Sequence, residues 1–229
     1  MPRLEMDLDP IVKMYDQLDL QILNPVTAAG VAAIAGVDSV GMTYAEGKAQ
    51  YARMIMSTAG TRMNWRIPVD DEAVEAVMSN PPDRVTFIDP RQERGCLDLR
   101  RSESLEEIFR KIRPVKSLEI AVRITGDVKQ LKEAYKMGAN AVELDVSDFT
   151  AAESGQERLE ALEGISGVAR VAQKYEVGLL VIGGLTTDAI QDMLELDMVD
   201  TFAVGRSVIG KALYVGLENA LRDYLFLVK

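Results

Sequence analysis

Short runs of branched apolar residues alternate along the chain with longer stretches in which apolar positions recur at helical spacing. The pattern predicts strands at 3–9, 39–43, 62–67, 84–88, 118–124, 141–146, 178–182 and 201–205, with helices between them. Several helix starts carry their own signals. Asn24-Pro25 supplies an N-cap and a first residue with helix-compatible φ. Ser104 with Glu107 forms a capping-box pattern, and Thr186 or Thr187, just before Asp188, opens a further helix. Strand–helix alternation along the whole chain implies a parallel sheet, and eight such pairs in 229 residues favour an α/β (β/α)₈ TIM barrel over an open doubly wound sheet. A faint internal echo fits both: AGVDSV from Ala35, MGANAV from Met137 and LDMVD from Leu196 each end a helix and restart a strand. No linker or low-complexity stretch divides the chain, so residues 1–229 read as one domain. The longest irregular segment, Asp89 to Ser102, is Arg-rich and follows strand four, where a functional loop belongs.

Alternate residues of a strand point to opposite faces, so parity assigns directions inside a barrel. Leu4, Met6 and Leu8 of strand one face the helices, leaving Glu5, Asp7 and Asp9 inward. Met63, Trp65 and Ile67 leave Arg62, Asn64 and Arg66. Ile120, Val122 and Ile124 leave Glu119, Ala121 and Arg123, and Val142, Leu144 and Val146 leave Glu143 and Asp145. The interior is therefore charged, and buried charges must find partners. Low in the barrel, Glu5, Arg62 and Glu119 are expected to form an internal ion-pair lattice without a ligand. Nearer the C-terminal strand ends, Asp9, Thr43, Arg66, Arg123 and Asp145 are expected to line the mouth, where barrel enzymes place their sites.

Composition narrows the chemistry. There is no histidine, which excludes Ser-His-Asp, Cys-His and His-metal machinery outright. The single cysteine, Cys96, allows neither an intrachain disulfide nor a multi-cysteine metal centre and fits a reducing compartment. Carboxylates on separate strands (Asp7, Asp9, Glu143, Asp145) leave Mg²⁺ conceivable, but no spacing supports it; neither a metal nor a cofactor is assigned. A net charge of −10 disfavours nucleic acid and anionic membrane as partners, and neither an apolar span nor a signal-peptide pattern is evident, so a cytoplasmic location is expected.

Strand seven ends in Gly183-Gly184 before a helix, and strand eight ends in Gly205-Arg206 before another. Glycines let backbone amides approach a phosphate, helix N-termini aim partial positive charge at it, and barrels commonly bind phosphate at this pair of loops. The alternative is that these glycines serve only tight turns. Together with TRMNW from Thr61, AGVDSV from Ala35, DPRQER from Asp89 with LDL from Leu97, AVEL from Ala141, GLT from Gly184 and VGRSVIG from Val204, the loops make the chain resemble pyridoxine 5′-phosphate synthase over nearly its whole length. The resemblance implies a (β/α)₈ barrel, an oligomeric assembly, and condensation of deoxyxylulose 5-phosphate with an amino-oxopropyl phosphate. Glu143 matches a family active-site glutamate. Against the family pattern, Thr43 stands for the catalytic histidine after strand two, Ala45 for a phosphate-binding arginine, Arg66 for a strand-three glutamate and Arg206 for a histidine. The strand-seven loop lacks its histidine, and Asn-x-Asp-His becomes Asp7-Leu8-Asp9-Pro10.

The expectation is a divergent barrel that binds a phosphorylated small molecule through Gly183, Gly184, Gly205 and Arg206, with Thr43, Asn64, Arg123 and Asp145 also contacting it. Asp9 and Glu143 are the acid/base candidates and Arg66 an electrostatic clamp, running chemistry other than the family condensation. The competing expectation is a non-catalytic sensing or structural barrel. A ribulose-phosphate-type decarboxylase would need an Asp-x-Lys-x-x-Asp run, which the chain lacks. Apolar faces at Ala28, Val31, Ala32, Leu221, Leu225 and Phe226 predict at least a homodimer.

Overall fold

A computed structural model describes residues 1–18, 23–45, 47–101 and 103–229. Eight parallel strands close into a barrel in sequence order, with β1 pairing both β2 and β8. They are β1 (Arg3–Asp7), β2 (Ser39–Thr43), β3 (Arg62–Pro68), β4 (Arg84–Ile88), β5 (Glu119–Ile124), β6 (Ala141–Asp145), β7 (Gly178–Ile182) and β8 (Thr201–Val204). Around them, among the described residues, run α1 (Asp9–Leu18), α2 (Pro25–Ala35), α3 (Ala49–Thr58), α4 (Asp71–Ser79), α5 (Glu103–Ile112), α6 (Val128–Met137), α7 (Ser147–Thr150), α8 (Gly155–Lys174), α9 (Thr187–Leu194), α10 (Arg206–Val215) and α11 (Leu217–Val228). A chain expected to fold as a (β/α)₈ barrel does so. None of the described helices is long and apolar enough to cross a membrane.

The main apolar core lies between strands and helices, where Leu4, Met6, Met63, Trp65, Ile67, Val122, Val142 and Leu144 are buried as their parity requires. Inside the barrel the apolar contribution is a small separate cluster of Ala121, Ala141 and Leu180. Apart from Ala203 and, at the mouth, Ile182, the side chains around them are mostly polar.

The internal echo has a structural cause. Each even-numbered strand is preceded by Asp or Asn, whose side-chain oxygen accepts the N–H near the start of the preceding odd-numbered strand. Asp38 accepts from Leu4 (3.0 Å), Asp83 from Met63 (2.8 Å), Asn140 from Ile120 (2.6 Å) and Asp200 from Leu179 (2.7 Å). The barrel is thus stitched at its base in four two-strand units. Gly36 and Gly138, in left-handed conformation (φ 95° and 94°), end α2 and α6 just before two of these stitches.

Two local expectations are corrected. Ser104 does not cap α5, because Glu103 is already helical and Ser104 lies inside the helix. The capping box is formed instead by Ser154 and Glu157 at the start of α8. Ala28, Ala32, Leu221 and Leu225 are not an unpartnered face either. All four are buried within the chain, where α2 packs on α11. The exposed large apolar residues on these two helices are Ile34 and Phe226, with Leu213 and Tyr214 exposed on the neighbouring α10. Asn24 does cap α2 by accepting from the Val26 N–H, and Thr186 caps α9 by accepting from Ala189. Of the segment from Asp89 to Ser102, the last residue lies outside the described ones.

Candidate active site

Arg66 stands at the centre of the barrel with its side chain wholly buried. Its Nη2 donates to Glu5 (2.7 Å), its Nη1 to Asp7 (3.0 Å) and its Nε to Glu143 (2.9 Å). Gly41 of β2 makes this reach feasible. A Cβ there would stand 2.4 Å from a Glu5 oxygen and 2.7 Å from the Arg66 guanidinium, so a side chain on this strand would occupy the guanidinium's place. Burial works against the charge of Arg66, and the facing carboxylates of Glu143, Asp7 and Glu5 more than offset it, so its pKa rises well above the ordinary value.

The lattice extends both ways. Towards the base, Asn64 donates to both Glu5 oxygens and accepts from Thr86, while Arg84 pairs with Glu119 (2.8 Å), which Arg62 also approaches (3.6 Å). Glu5 and Glu119 thus join an internal lattice through Arg84, while Arg62 lies half exposed at its edge rather than inside it. Towards the mouth, Glu143 also accepts from Arg123 Nε (2.6 Å). Burial raises the Glu143 pKa, but Arg123 and Arg66 together bring it down to about 2.

Above the lattice opens a cavity of about 700 Å³, of a size suited to a small metabolite. Of the residues expected at the site, Asp9, Arg123, Asp145, Gly183, Gly184, Gly205 and Arg206 line it, whereas Thr43, Asn64, Arg66 and Glu143 do not. Asp9, which opens α1 rather than ending β1, turns its carboxylate to β2. It accepts the Thr43 N–H (2.7 Å) and hydroxyl (2.6 Å). Asp145 accepts the Ser147 N–H (3.1 Å), and burial raises its pKa.

On the far wall, Gly183 and Gly184 adopt left-handed φ of 118° and 66°. A Cβ on Gly183 would come within 2.7 Å of Ser147 Oγ. Gly205 is the N-cap of α10 and has no side chain to occupy the first-turn N–H groups. Thr186 closes the start of α9, whereas the uncapped first turn of α10 borders the cavity. Asp188 lies away from the cavity and meets the Thr187 hydroxyl (3.3 Å). Arg206, the first residue of α10, is exposed, lies 4.0 Å from a Cβ built on Gly184, and has no ion-pair or hydrogen-bond partner among the described residues.

Sequence reasoning missed Asp7, Lys13, Arg94, Ser147 and Ser207 as cavity residues. Parity already turned Asp7 inward, and Arg94 belongs to the Arg-rich loop after strand four. Ser147 and Ser207 carry no comparable signal. Among the described residues no three carboxylate or thiol groups are arranged to hold a metal ion.

Comparison with known proteins decides the family. The sequence matches the family described as pyridoxal phosphate biosynthesis protein PdxJ over residues 4–229. The chain belongs to the PdxJ family. It is 29% identical over 238 aligned positions to the pyridoxine 5′-phosphate synthase of Geotalea daltonii, covering 100% of this chain and 99% of that one. With the pyridoxine 5′-phosphate synthase of Geotalea uraniireducens it shares 30% identity over 215 positions, 90% of each chain. Among solved structures, the phosphoribosylanthranilate isomerase of Thermotoga maritima superposes with a TM-score of 0.62 at 12% identity, covering 99% of this chain and 98% of that one. That likeness speaks for the barrel alone.

Proposed function

We propose that this PdxJ-family barrel is an enzyme that binds a phosphorylated small molecule at the loops after β7 and β8 and runs chemistry other than the pyridoxine phosphate condensation. The observation that carries this reading is Arg206. A cation on the first residue of a helix opposes the helix dipole. Here it has no acidic partner among the described residues, and it lies close to Gly184, which with Gly183 lines the same cavity. A tetrahedral anion bound between the α10 N-terminus and the guanidinium removes the conflict, with charge-assisted hydrogen bonds contributing on the order of 1.5–3 kcal/mol each.

The departure from the condensation rests on the residues where the family pattern carries acid/base groups. Thr43 and Asp9 satisfy each other, and Arg66, at a glutamate position, is enclosed by three carboxylates. Glu143 and Arg66 therefore act on a ligand through the groups they hold in place, whereas Asp9 borders the cavity with its carboxylate held by Thr43. The same enclosure favours a second reading, a non-catalytic ligand sensor, because Glu143 faces two arginines and no open space. Relatives named as synthases support the enzymatic one.

A thermal-shift panel of phosphorylated sugars and amino ketones tests the proposal, since a ligand that binds only the folded state raises its Tm. Stabilisation is expected for the wild type and should vanish in Gly205→Val, whose Cβ would press to 3.0 Å from Asp7 Oδ2 and 3.1 Å from Pro10. Pure protein given both family substrates should yield no vitamin phosphate. Turnover that disappears in Glu143→Gln would restore the family reaction.

A further inference from the structure

Asp7 is the one member of the Arg66 cluster that reaches the cavity. Its Oδ1 accepts from Arg66 Nη1 (3.0 Å) and from the Asp9 N–H (3.2 Å). Its Oδ2 has no hydrogen-bond partner among the described residues and lies 3.0 Å from where a Cβ on Gly205 would stand, at the first turn of α10. A carboxylate is thus placed beside the helix N-terminus proposed to receive an anion, where two negative groups would repel.

The charges around it resolve the conflict. From β3 Arg66 faces Asp7, from β5 Arg123, from β6 Glu143, from its own strand Glu5 and from α1 Asp9, with Arg206 on α10 across the glycine loops. Glu5, Glu119 and Glu143 pair with Arg66, Arg84 and Arg123, and the fourth arginine, Arg62, is half exposed at the base between Glu119 and Asp83. Asp9 is satisfied by Thr43. The lattice is complete without a negative Asp7, whose side chain is only 16% exposed.

We infer that Asp7 receives the anionic group of the ligand as a carboxylic acid, its Oδ2 donating a hydrogen bond to a ligand oxygen, so that anion binding is linked to one proton. The inference rests on the phosphate-site reading above and adds its polarity and pH dependence. Consistent with it, burial and then the Asp9 carboxylate push the Asp7 pKa up to about 7, against the pull of Arg66 and Arg123. Below that pH the group carries its proton before the ligand arrives. Above it, binding draws one proton from solvent onto Oδ2.

Sulfate is the probe, because its charge does not change between about pH 5 and 9, whereas phosphate titrates in that range. Calorimetry should show sulfate affinity constant below about pH 6.5 and falling about tenfold per pH unit above pH 7.5. At pH 8, paired runs in buffers of different ionisation enthalpy should report uptake of about one proton per sulfate, a measurement that needs no variant. Asp7→Asn, whose amide can still donate, should keep sulfate binding and lose its pH dependence. PH-independent affinity in the wild type, with no proton uptake, overturns the role of Asp7 and leaves the anion site standing. Absence of sulfate binding at pH 5.5, where Asp7 is protonated, overturns both, and unchanged binding in Arg206→Met moves the anion away from α10 and Asp7 alike.

Discussion

Arg66 shows how one side chain organises the inside of a barrel. Its planar guanidinium presents N–H groups in three directions, and each direction ends on a carboxylate from a different place: Glu5 and Asp7 on β1, Glu143 on β6. Lysine, with a single compact ammonium, cannot reproduce that fan. Replacing Arg66 with Met leaves three acids facing one another without their common partner. We expect a loss of about 3–5 kcal/mol in a urea titration. Gly41→Ala should be destabilising for the complementary reason, by about 1–3 kcal/mol, because the added methyl meets the guanidinium and the Glu5 carboxylate inside a filled interior.

At the level of elements, the barrel is built from strand pairs rather than from eight equivalent units. The side chains of Asp38, Asp83, Asn140 and Asp200 close the base of successive pairs by accepting a strand-start N–H. Removing one of these hydrogen bonds leaves a strand-start donor without its side-chain partner. Asp83→Ala should cost about 1–2 kcal/mol and raise the hydrogen-exchange rate of the Met63 amide, which it caps (2.8 Å), more than that of amides at the opposite end of β3. The two loops of the candidate anion site differ in the same way. Thr186 closes α9, whereas α10 begins at a glycine and keeps its first turn available.

For the molecule as a whole, opposite pKa shifts in the interior set its pH response. Glu143 is held near 2, below its ordinary value of 4.5, so the unfolded chain binds more protons in that window and stability rises as pH climbs through it. Asp7 is raised from 3.8 to about 7, so between those values the folded chain binds more protons and stability falls as pH climbs. The Tm of the wild type is therefore expected to pass through a maximum near pH 4–5, and Asp7→Asn should flatten the decline between pH 5 and 7 without altering the acid limb. The outer surface bears on assembly. Ile34, Leu213, Tyr214 and Phe226 are exposed, the last two at about nine-tenths. Light scattering at micromolar concentration should find a dimer or larger assembly, and Phe226→Asp should weaken it. A monomeric wild type would remove this expectation.

Fold class was legible in the sequence because it depends on local regularities. Eight apolar runs, the alternation within them and the glycines that end helices are properties of neighbouring residues, and parity correctly turned Arg66, Glu143 and Glu5 inward. The family, too, was legible, since its motifs recur in order along the chain. What the strands bring together was not. Nothing near Asp7 in the sequence says that a guanidinium 59 residues away binds one of its oxygens. Nor does anything near Gly41 say that its missing side chain makes room for that guanidinium. Asp9 read as a free acid until the fold set Thr43 against it, and Arg206 read as one basic residue among many until the cavity proved to pair no acid with it among the described residues. Parity decides which way a side chain points; only the closed barrel decides what it meets there, because burial turns the distance between charges into the energy that fixes their protons.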